Sequence, residues 1–180
     1  MIHAPRFKYN VKTYNELLKF KKKGLVKAVG VSNYGVHHLK ALAKAGCPAP
    51  SVNQIELHPW RQEKATTEYC KEKGILVEAY SALAQGNAFK DPEKIKQLES
   101  VAKNYPKKSG AQVMLRWNVQ QGNVVLVRSV KVERMKQNID LFDFKLSDED
   151  MKVMNGWDES WNACTWNPMI EPIDDNDEDW

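Results

Sequence analysis

The feature that most constrains this chain is a repeated succession of short β-prone runs and longer helix-patterned segments, with several helices closed by a glycine that leads into β-branched residues. The expected strands are Met1–His3 (incomplete), Val26–Val31, Val52–Leu57, Ile75–Tyr80 and Val124–Val127. Apolar residues at helical spacing fill the intervals. Thr13–Lys23 has Thr13 and Glu16 as a capping box, Tyr14, Leu17 and Leu18 on one face, and Gly24 as its stop. Val36–Ala45 aligns Val36, Leu39 and Leu42 before Gly46, and Gln62–Lys73 carries Tyr69 and Cys70 before Gly74. Asp91 caps a helix with Pro92 at its first position and Ile95, Leu98 and Ala102 on one face. Ser109 and Gln112 form a second capping box, opening a helix through Trp117 that stops near Gly122. Short helices from about Val132 to Asn138 and from Ser147 to Met154 follow, and the remainder to Trp180 is irregular and rich in tryptophan.

Such alternation argues for a parallel sheet with crossover helices, because parallel neighbours cannot be joined by a tight hairpin. Strand starts near 26, 52 and 75 suit single βα units, and the longer step to 124 leaves room for an extra loop and helix. Both a (β/α)8 barrel and a doubly wound sheet satisfy this pattern. Two points favour the barrel. No G-x-G-x-x-G turn follows any strand, so a Rossmann phosphate loop has no support. Polar residues also gather just past the strand C-termini, at Ser32-Asn33, Gln54, Tyr80-Ser81 and Arg128-Ser129, where a barrel builds its site. A complete barrel needs eight strands and typically ~250 residues, and this chain has 180. The expected fold is therefore α/β, a partial (β/α)8 TIM barrel comprising roughly the last five βα units. Residues 1–155 are expected to form that incomplete barrel, and 156–180 a C-terminal loop and acidic tail.

Composition narrows the function classes. With 42% hydrophobic and 28% charged residues, and the apolar ones clustered between turn signals, a disordered chain is excluded. The net charge of +4 is unevenly spread: Glu171 to Trp180 carry six acids and no base, and removing that −6 leaves +10 on residues 1–170. Such a division fits nucleic acid, an anionic cofactor or simple solubility. The lysines are scattered along helical stretches, which favours a solvated surface over a nucleic-acid site. Cys47, Cys70 and Cys164 are odd in number and lack metal-ligand spacing, so neither a metal site nor a disulfide framework is expected. Reduced thiols in a cytoplasmic protein are the simplest account. No apolar run approaches the ~20 residues that span a bilayer, and Met1-Ile2-His3-Ala4-Pro5 lacks the apolar core of a signal peptide. No membrane partner is expected.

The strand-end residues each admit a chemical and a structural reading. His3 could direct its imidazole at a carbonyl, or serve packing alone. Ser32, Asn33 and Gln54 suit a primary amide that both donates and accepts, although Ser32 or Asn33 could equally cap a helix. Tyr80 offers a flat face, or rim packing. Arg128 and Ser129, with Arg134 on the following short helix, could bracket a phosphate monoester or be ordinary surface residues. His37 and His38 are expected to be solvated, and His58, before Pro59, to shape its loop.

These rim segments resemble the aldo-keto reductases over nearly the whole chain. The matching runs are Ile2-His3-Ala4-Pro5, Gly30-Val31-Ser32-Asn33-Tyr34, Val52-Asn53-Gln54-Ile55-Glu56-Leu57-His58-Pro59, Glu78-Ala79-Tyr80-Ser81-Ala82-Leu83, Arg128-Ser129-Val130, Glu133-Arg134-Met135-Lys136-Gln137-Asn138 and Phe142-Asp143-Phe144-Lys145-Leu146-Ser147, in the family's order and at its spacing. The resemblance implies NADP(H)-dependent reduction of a small aldehyde or ketone to an alcohol by hydride transfer. It makes His3 the active-site histidine that orients the carbonyl, with Ala4 where a tryptophan is usual. Ser32, Asn33 and Gln54 become the clamp on the nicotinamide carboxamide, and Tyr80 the ring stacked on the nicotinamide. Ser81, Leu83 and the loop toward Gln85 would contact the pyrophosphate, with Ala82 in place of the usual proline. Arg128, Ser129 and Arg134 would hold the 2′-phosphate, with Val130 also at the cofactor and Gln137 and Asn138 facing the adenine. Arg128 replaces a more usual lysine and Gln137 a common glutamate.

The family's proton-donating tyrosine, with its lysine and aspartate, lies on units that precede the histidine strand. The chain as given is therefore expected to be truncated and inactive alone, needing the missing N-terminal barrel units as a partner or self-associating through its exposed sheet edges. The alternative is a non-catalytic relative acting as a nucleotide-binding or interaction module.

Overall fold

The computed structural model describes residues 1–5 and 9–172. Helices and strands alternate as α1 (Asn10–Lys22), β1 (Val31–Ser32), α2 (Val36–Lys44), β2 (Val52–Glu56), α3 (Lys64–Glu72), β3 (Leu76–Tyr80), α4 (Pro92–Ala102), α5 (Gly110–Gln120), β4 (Val124–Val125), α6 (Val132–Ile139) and α7 (Asp148–Asn155). The four strands lie in one sheet in chain order. β1 and β2 run parallel, with Val31 opposite Asn53 and Ser32 opposite Gln54, and Ile2 forms a parallel bridge to Val31. This is the α/β alternation of a partial (β/α)8 barrel. Among the described residues no helix is long and apolar enough to cross a membrane, and no group of His, Cys, Asp and Glu could hold a metal.

Four helices end by one device. Gly24, Gly46, Gly74 and Gly122 all adopt positive φ, and the residue after each donates its N–H five residues back: Leu25 to Phe20, Cys47 to Leu42, Ile75 to Cys70 and Asn123 to Asn118, at 2.8–3.1 Å. This closure satisfies carbonyls that a helix end leaves open and turns the chain straight into the next strand. The other ends follow their side chains. Asp91 accepts from the N–H groups of Glu93 (3.0 Å) and Lys94 (3.4 Å) to start α4. Ser109 and Gln112 bond reciprocally at the head of α5, and Ser147 accepts from Asp150 N–H (3.0 Å) at the head of α7.

Three expectations are corrected. The first helix starts at Asn10, behind Tyr9 and without a side-chain cap, so Thr13 and Glu16 form no capping box. Buried Val11 and Tyr14, one turn apart, extend the apolar face backward, and Glu16 instead pairs with Lys19 at 2.7 Å. The strand expected over Val26–Val31 shrinks to Val31–Ser32, because Leu25 is used in stopping α1 and remains exposed with Val26. Pairing nonetheless continues past both ends of β1. Ser51 N–H donates to the Val29 carbonyl at 2.9 Å. Past Ser32, the Asn53 carboxamide replaces a strand: it accepts from Tyr34 N–H at 3.3 Å and donates to the Tyr34 carbonyl at 2.8 Å. Gly30 is required here, since a Cβ at that position would lie 2.3 Å from Val52 Cγ1. The third is His38, which is buried and not solvated.

The chain divides into two compact units. The first comprises Met1–Ile55, Lys64–Glu78 and the segment from Trp166 onward, with a core that includes Tyr14, Val31, Tyr34, Leu39, Leu42, Ile55 and Cys70. The second comprises Glu56–Glu63 and Ala79–Thr165, with Leu57, Trp60, Leu98, Val113, Met114, Leu115, Trp117, Leu146 and Met154 buried. Beyond Pro172 the acidic tail, with Trp180, lies outside the described residues.

Candidate functional site

In the first unit Ser32 and Asn33, at the end of β1, are joined by hydrogen bonds to Gln54, which lies in the middle of β2 and not past its end as expected, because the strand runs on to Glu56. Ser32 Oγ donates to the Gln54 carbonyl at 2.8 Å, and Asn33 N–H donates to the same oxygen at 2.8 Å. The Asn33 amide then donates to the His3 carbonyl (3.0 Å) and to Ser32 Oγ (3.1 Å). Asn33 has φ 61°, a left-handed conformation that asparagine tolerates better than most residues. Ser32 and Asn33 are buried, and Gln54 is half-buried. Gln54 donates through Nε2 to Glu78 Oε2 at 2.8 Å, while its Oε1 accepts from no group among the described residues. The His3 imidazole is exposed, with its ring 5.4 Å from that of Trp166.

His38, expected to be solvated, is 2% exposed. Its Nδ1 accepts from Gly35 N–H at 3.1 Å, capping α2, and its Nε2 bonds the Glu171 carbonyl at 2.8 Å. His37 reaches the same carbonyl at 2.8 Å but stays exposed, as expected. Burial, then the neighbouring His37, lowers the His38 pKa to about 4 against a weaker upward pull from the Glu171 carbonyl. An apolar-spacing argument sees only the helix's own residues and misses the chain that returns over its N-terminus.

In the second unit Tyr80 ends β3 half-buried, its carbonyl accepting from Leu57 N–H at 3.2 Å, and burial raises its phenol well above the ordinary range. The next residues turn sharply: Ser81, Ala84, Gln85 and Gly86 all have positive φ. Leu83 is half-buried, and Ala82 and Ala84 are buried. Ser81 Oγ shares a hydrogen bond with Cys164 Sγ at 3.3 Å, and Gln85 Nε2 donates to the same sulfur at 2.9 Å.

Beneath that contact lies a buried pair absent from the sequence reading. Glu56 Oε1 meets His58 Nε2 at 3.3 Å and accepts from the N–H groups of Ala163 (2.8 Å) and Cys164 (3.2 Å). Desolvation pushes the Glu56 carboxyl upward, but the hydrogen bond and charge of His58 and the two N–H groups outweigh it and hold the pKa below the ordinary value. His58 is fully buried, edge-on to Trp161, and its Nδ1 has no hydrogen-bond partner among the described residues. It also shapes its loop as expected, exchanging two backbone hydrogen bonds with Arg61. The available signal was a glutamate placed amid the apolar residues of Val52–Leu57, where a charge needs a partner.

The residues expected at the phosphate monoester are more dispersed in their bonding. Arg128 and Arg134 are exposed, and neither enters an ion pair among the described residues. The Ser129 hydroxyl accepts from Lys131 N–H at 3.1 Å and donates to the Lys131 carbonyl at 3.3 Å, a local turn ahead of α6. Val130 and Gln137 are exposed, and Asn138 is buried.

The sequence profile of the Aldo/keto reductase family matches residues 1–159. An uncharacterized oxidoreductase of Schizosaccharomyces pombe is 38% identical across 96% of this chain and 61% of its own length. The glyoxal reductase of Bacillus subtilis is 44% identical across 84% of this chain and 53% of its own. Among solved structures, MGS-M4, an aldo-keto reductase enzyme from a Medee basin deep-sea metagenome library, superposes with a TM-score of 0.84 at 33% identity, covering 95% of this chain and 63% of that one. The chain thus spans between about half and three fifths of the length of the curated relatives it matches.

Proposed function

The chain belongs to the aldo/keto reductase family, and on that premise we propose that its residues hold NADP(H) for the reduction of a small aldehyde or ketone to an alcohol. The observation that carries this reading is the bonded set of Ser32 and Asn33 at the end of β1 with Gln54 on the neighbouring strand β2. These groups suit a primary carboxamide, which needs donors and acceptors side by side. The bound dinucleotide supplies hydride, and the protein's part is binding, orientation and polarisation.

Ser32, Asn33 and Gln54 hold the carboxamide, and Gln54 keeps an acceptor oxygen for it while Glu78 fixes the other end of the side chain. Tyr80 presents a flat ring to the nicotinamide. Ser81, Leu83 and Gln85 take the phosphate linker, Arg128, Ser129 and Arg134 the 2′-phosphate, and Gln137 and Asn138 the adenine, with Val130 also contacting the cofactor. The two arginines support a phosphorylated cofactor over its unphosphorylated counterpart: exposed guanidinium groups without a counter-ion among the described residues can bond phosphate oxygens with charge assistance. His3 orients the substrate carbonyl. Within the 180 residues no tyrosine and lysine match the family's proton-donating pair. General-acid catalysis typically contributes ~10²–10⁴-fold, so the chain by itself binds nucleotide with little turnover. The three cysteines are free thiols, which supports a reducing compartment such as the cytoplasm.

Fluorescence titration with NADPH and with NADH, followed by an aldehyde-reduction assay, tests the reading. NADPH is expected to bind more tightly than NADH. Absence of binding by either nucleotide would overturn the proposal.

A further inference from the structure

The segment leading to Cys164 is attached in a way that separates its two ends. Glu159 and Trp161 both donate their N–H groups to the Trp60 carbonyl at 3.1 Å, and Lys94 Nζ bonds Glu159 at 2.9 Å. Past Trp161 the backbone N–H groups of Ala163 and Cys164 both donate to one carboxylate oxygen, Glu56 Oε1, which His58 steadies from below. That turn brings the Cys164 sulfur onto Ser81 and Gln85.

The arrangement is chemically unequal. A thiol sulfur is a weak acceptor, whereas the Gln85 amide and the Ser81 hydroxyl are ordinary donors. Their loop is also in an uncommon conformation, with positive φ at both residues. Two good donors on a constrained backbone are therefore held against a partner that an anionic oxygen would outcompete, since hydrogen bonds to ionised acceptors are roughly twice as strong as neutral ones. The sulfur is half-buried, held by Ser81 and Gln85, and the backbone that carries it is held on Glu56 by two N–H groups.

We propose that residues 162–165 form a strap, latched by Glu56, whose Cys164 thiol occupies the Ser81 and Gln85 contacts until a dinucleotide's phosphate linker displaces it. The strap is thus an autoinhibitory contact built into the fold. The inference rests on the proposed function for its ligand, while the strap itself rests on the contacts above.

The test uses the complete 180-residue chain. NADPH fluorescence titration compares wild type with Cys164→Ala, a substitution at a half-buried position outside the core. The variant is expected to bind several-fold more tightly. A second measurement follows alkylation of Cys164 by iodoacetamide, read by peptide mass spectrometry with Cys47 and Cys70 as internal references. Saturating NADPH is expected to accelerate labelling of Cys164 several-fold relative to both. Glu56→Gln, which weakens the latch, is expected to accelerate it without nucleotide. Should that variant fold poorly, the effect of NADPH on wild-type labelling decides the matter. If NADPH binds both chains with equal affinity and leaves Cys164 labelling unchanged, the strap is overturned and the proposed function stands. If neither chain binds NADPH, both are overturned. Binding by Cys164→Ala alone supports the strap in its strongest form.

Discussion

His38 joins α2 to the returning chain through two bonds that demand opposite roles of its two nitrogens, so only the neutral ring satisfies both. Its folded pKa of about 4 lies below the ordinary 6.5. Between those values the unfolded chain binds more protons than the folded one, so stability is fullest above pH 6.5 and falls as pH drops toward 4. The fall from 6.5 to about 4 corresponds to roughly 3 kcal/mol across that window. Proton NMR of the His38 ring checks the sign, and a midpoint at or above the ordinary histidine value would contradict it. Urea unfolding of His38→Leu adds a second check: its stability deficit relative to wild type should shrink as pH falls from 7.5 to 4.5. Arg128 supplies a separate residue-level expectation. If it bonds a phosphate monoester, Arg128→Ala removes a charge-assisted contact worth roughly 1.5–3 kcal/mol. Affinity for NADPH should then fall about tenfold or more while affinity for NADH stays unchanged. Equal losses for both nucleotides would remove Arg128 from that role.

Elements show what could be read before any coordinates and what could not. The helix stops at Gly24, Gly46, Gly74 and Gly122 and the caps at Asp91, Ser109 and Ser147 were legible because each depends on residues within one turn of the boundary. β2 and β3 were legible as β-rich runs between turn signals. β1 was not, because its limits follow from Leu25 closing α1 and from the Asn53 side chain holding Tyr34, and the latter contact joins residues far apart in sequence. The same reason hides much of the site. Ser32 and Asn33 announce themselves at a strand end and Gln54 as a polar residue within a β-prone run, but the contact of Glu56 with Ala163 and Cys164 depends on a segment more than a hundred residues later. Two substitutions test the element-level account. Ser109→Ala should lower stability by about 1 kcal/mol through loss of the α5 capping box. Gly30→Ala should cost about 1–3 kcal/mol by overpacking against Val52. Urea unfolding would register both as lower midpoints with unchanged slope, and a Gly30→Ala chain as stable as wild type would show that β2 yields without cost.

At the scale of the molecule, β4 ends the strand order with Val124, Leu126 and Val127 partly exposed. A sheet margin that combines unpaired backbone groups with apolar side chains templates pairing with other chains. The 180-residue chain is therefore expected to self-associate, with a weight-average mass that rises with concentration in sedimentation velocity. A single monomeric boundary at every concentration would contradict this. The strap has its own consequence for time courses. If its release must precede nucleotide capture, observed rates after rapid mixing climb with NADPH concentration and then level off at the frequency with which the turn at Ala163 and Cys164 lets go of Glu56. Cys164→Ala would lift that plateau, so the waiting time before capture would be governed by the protein rather than by how often the two molecules collide.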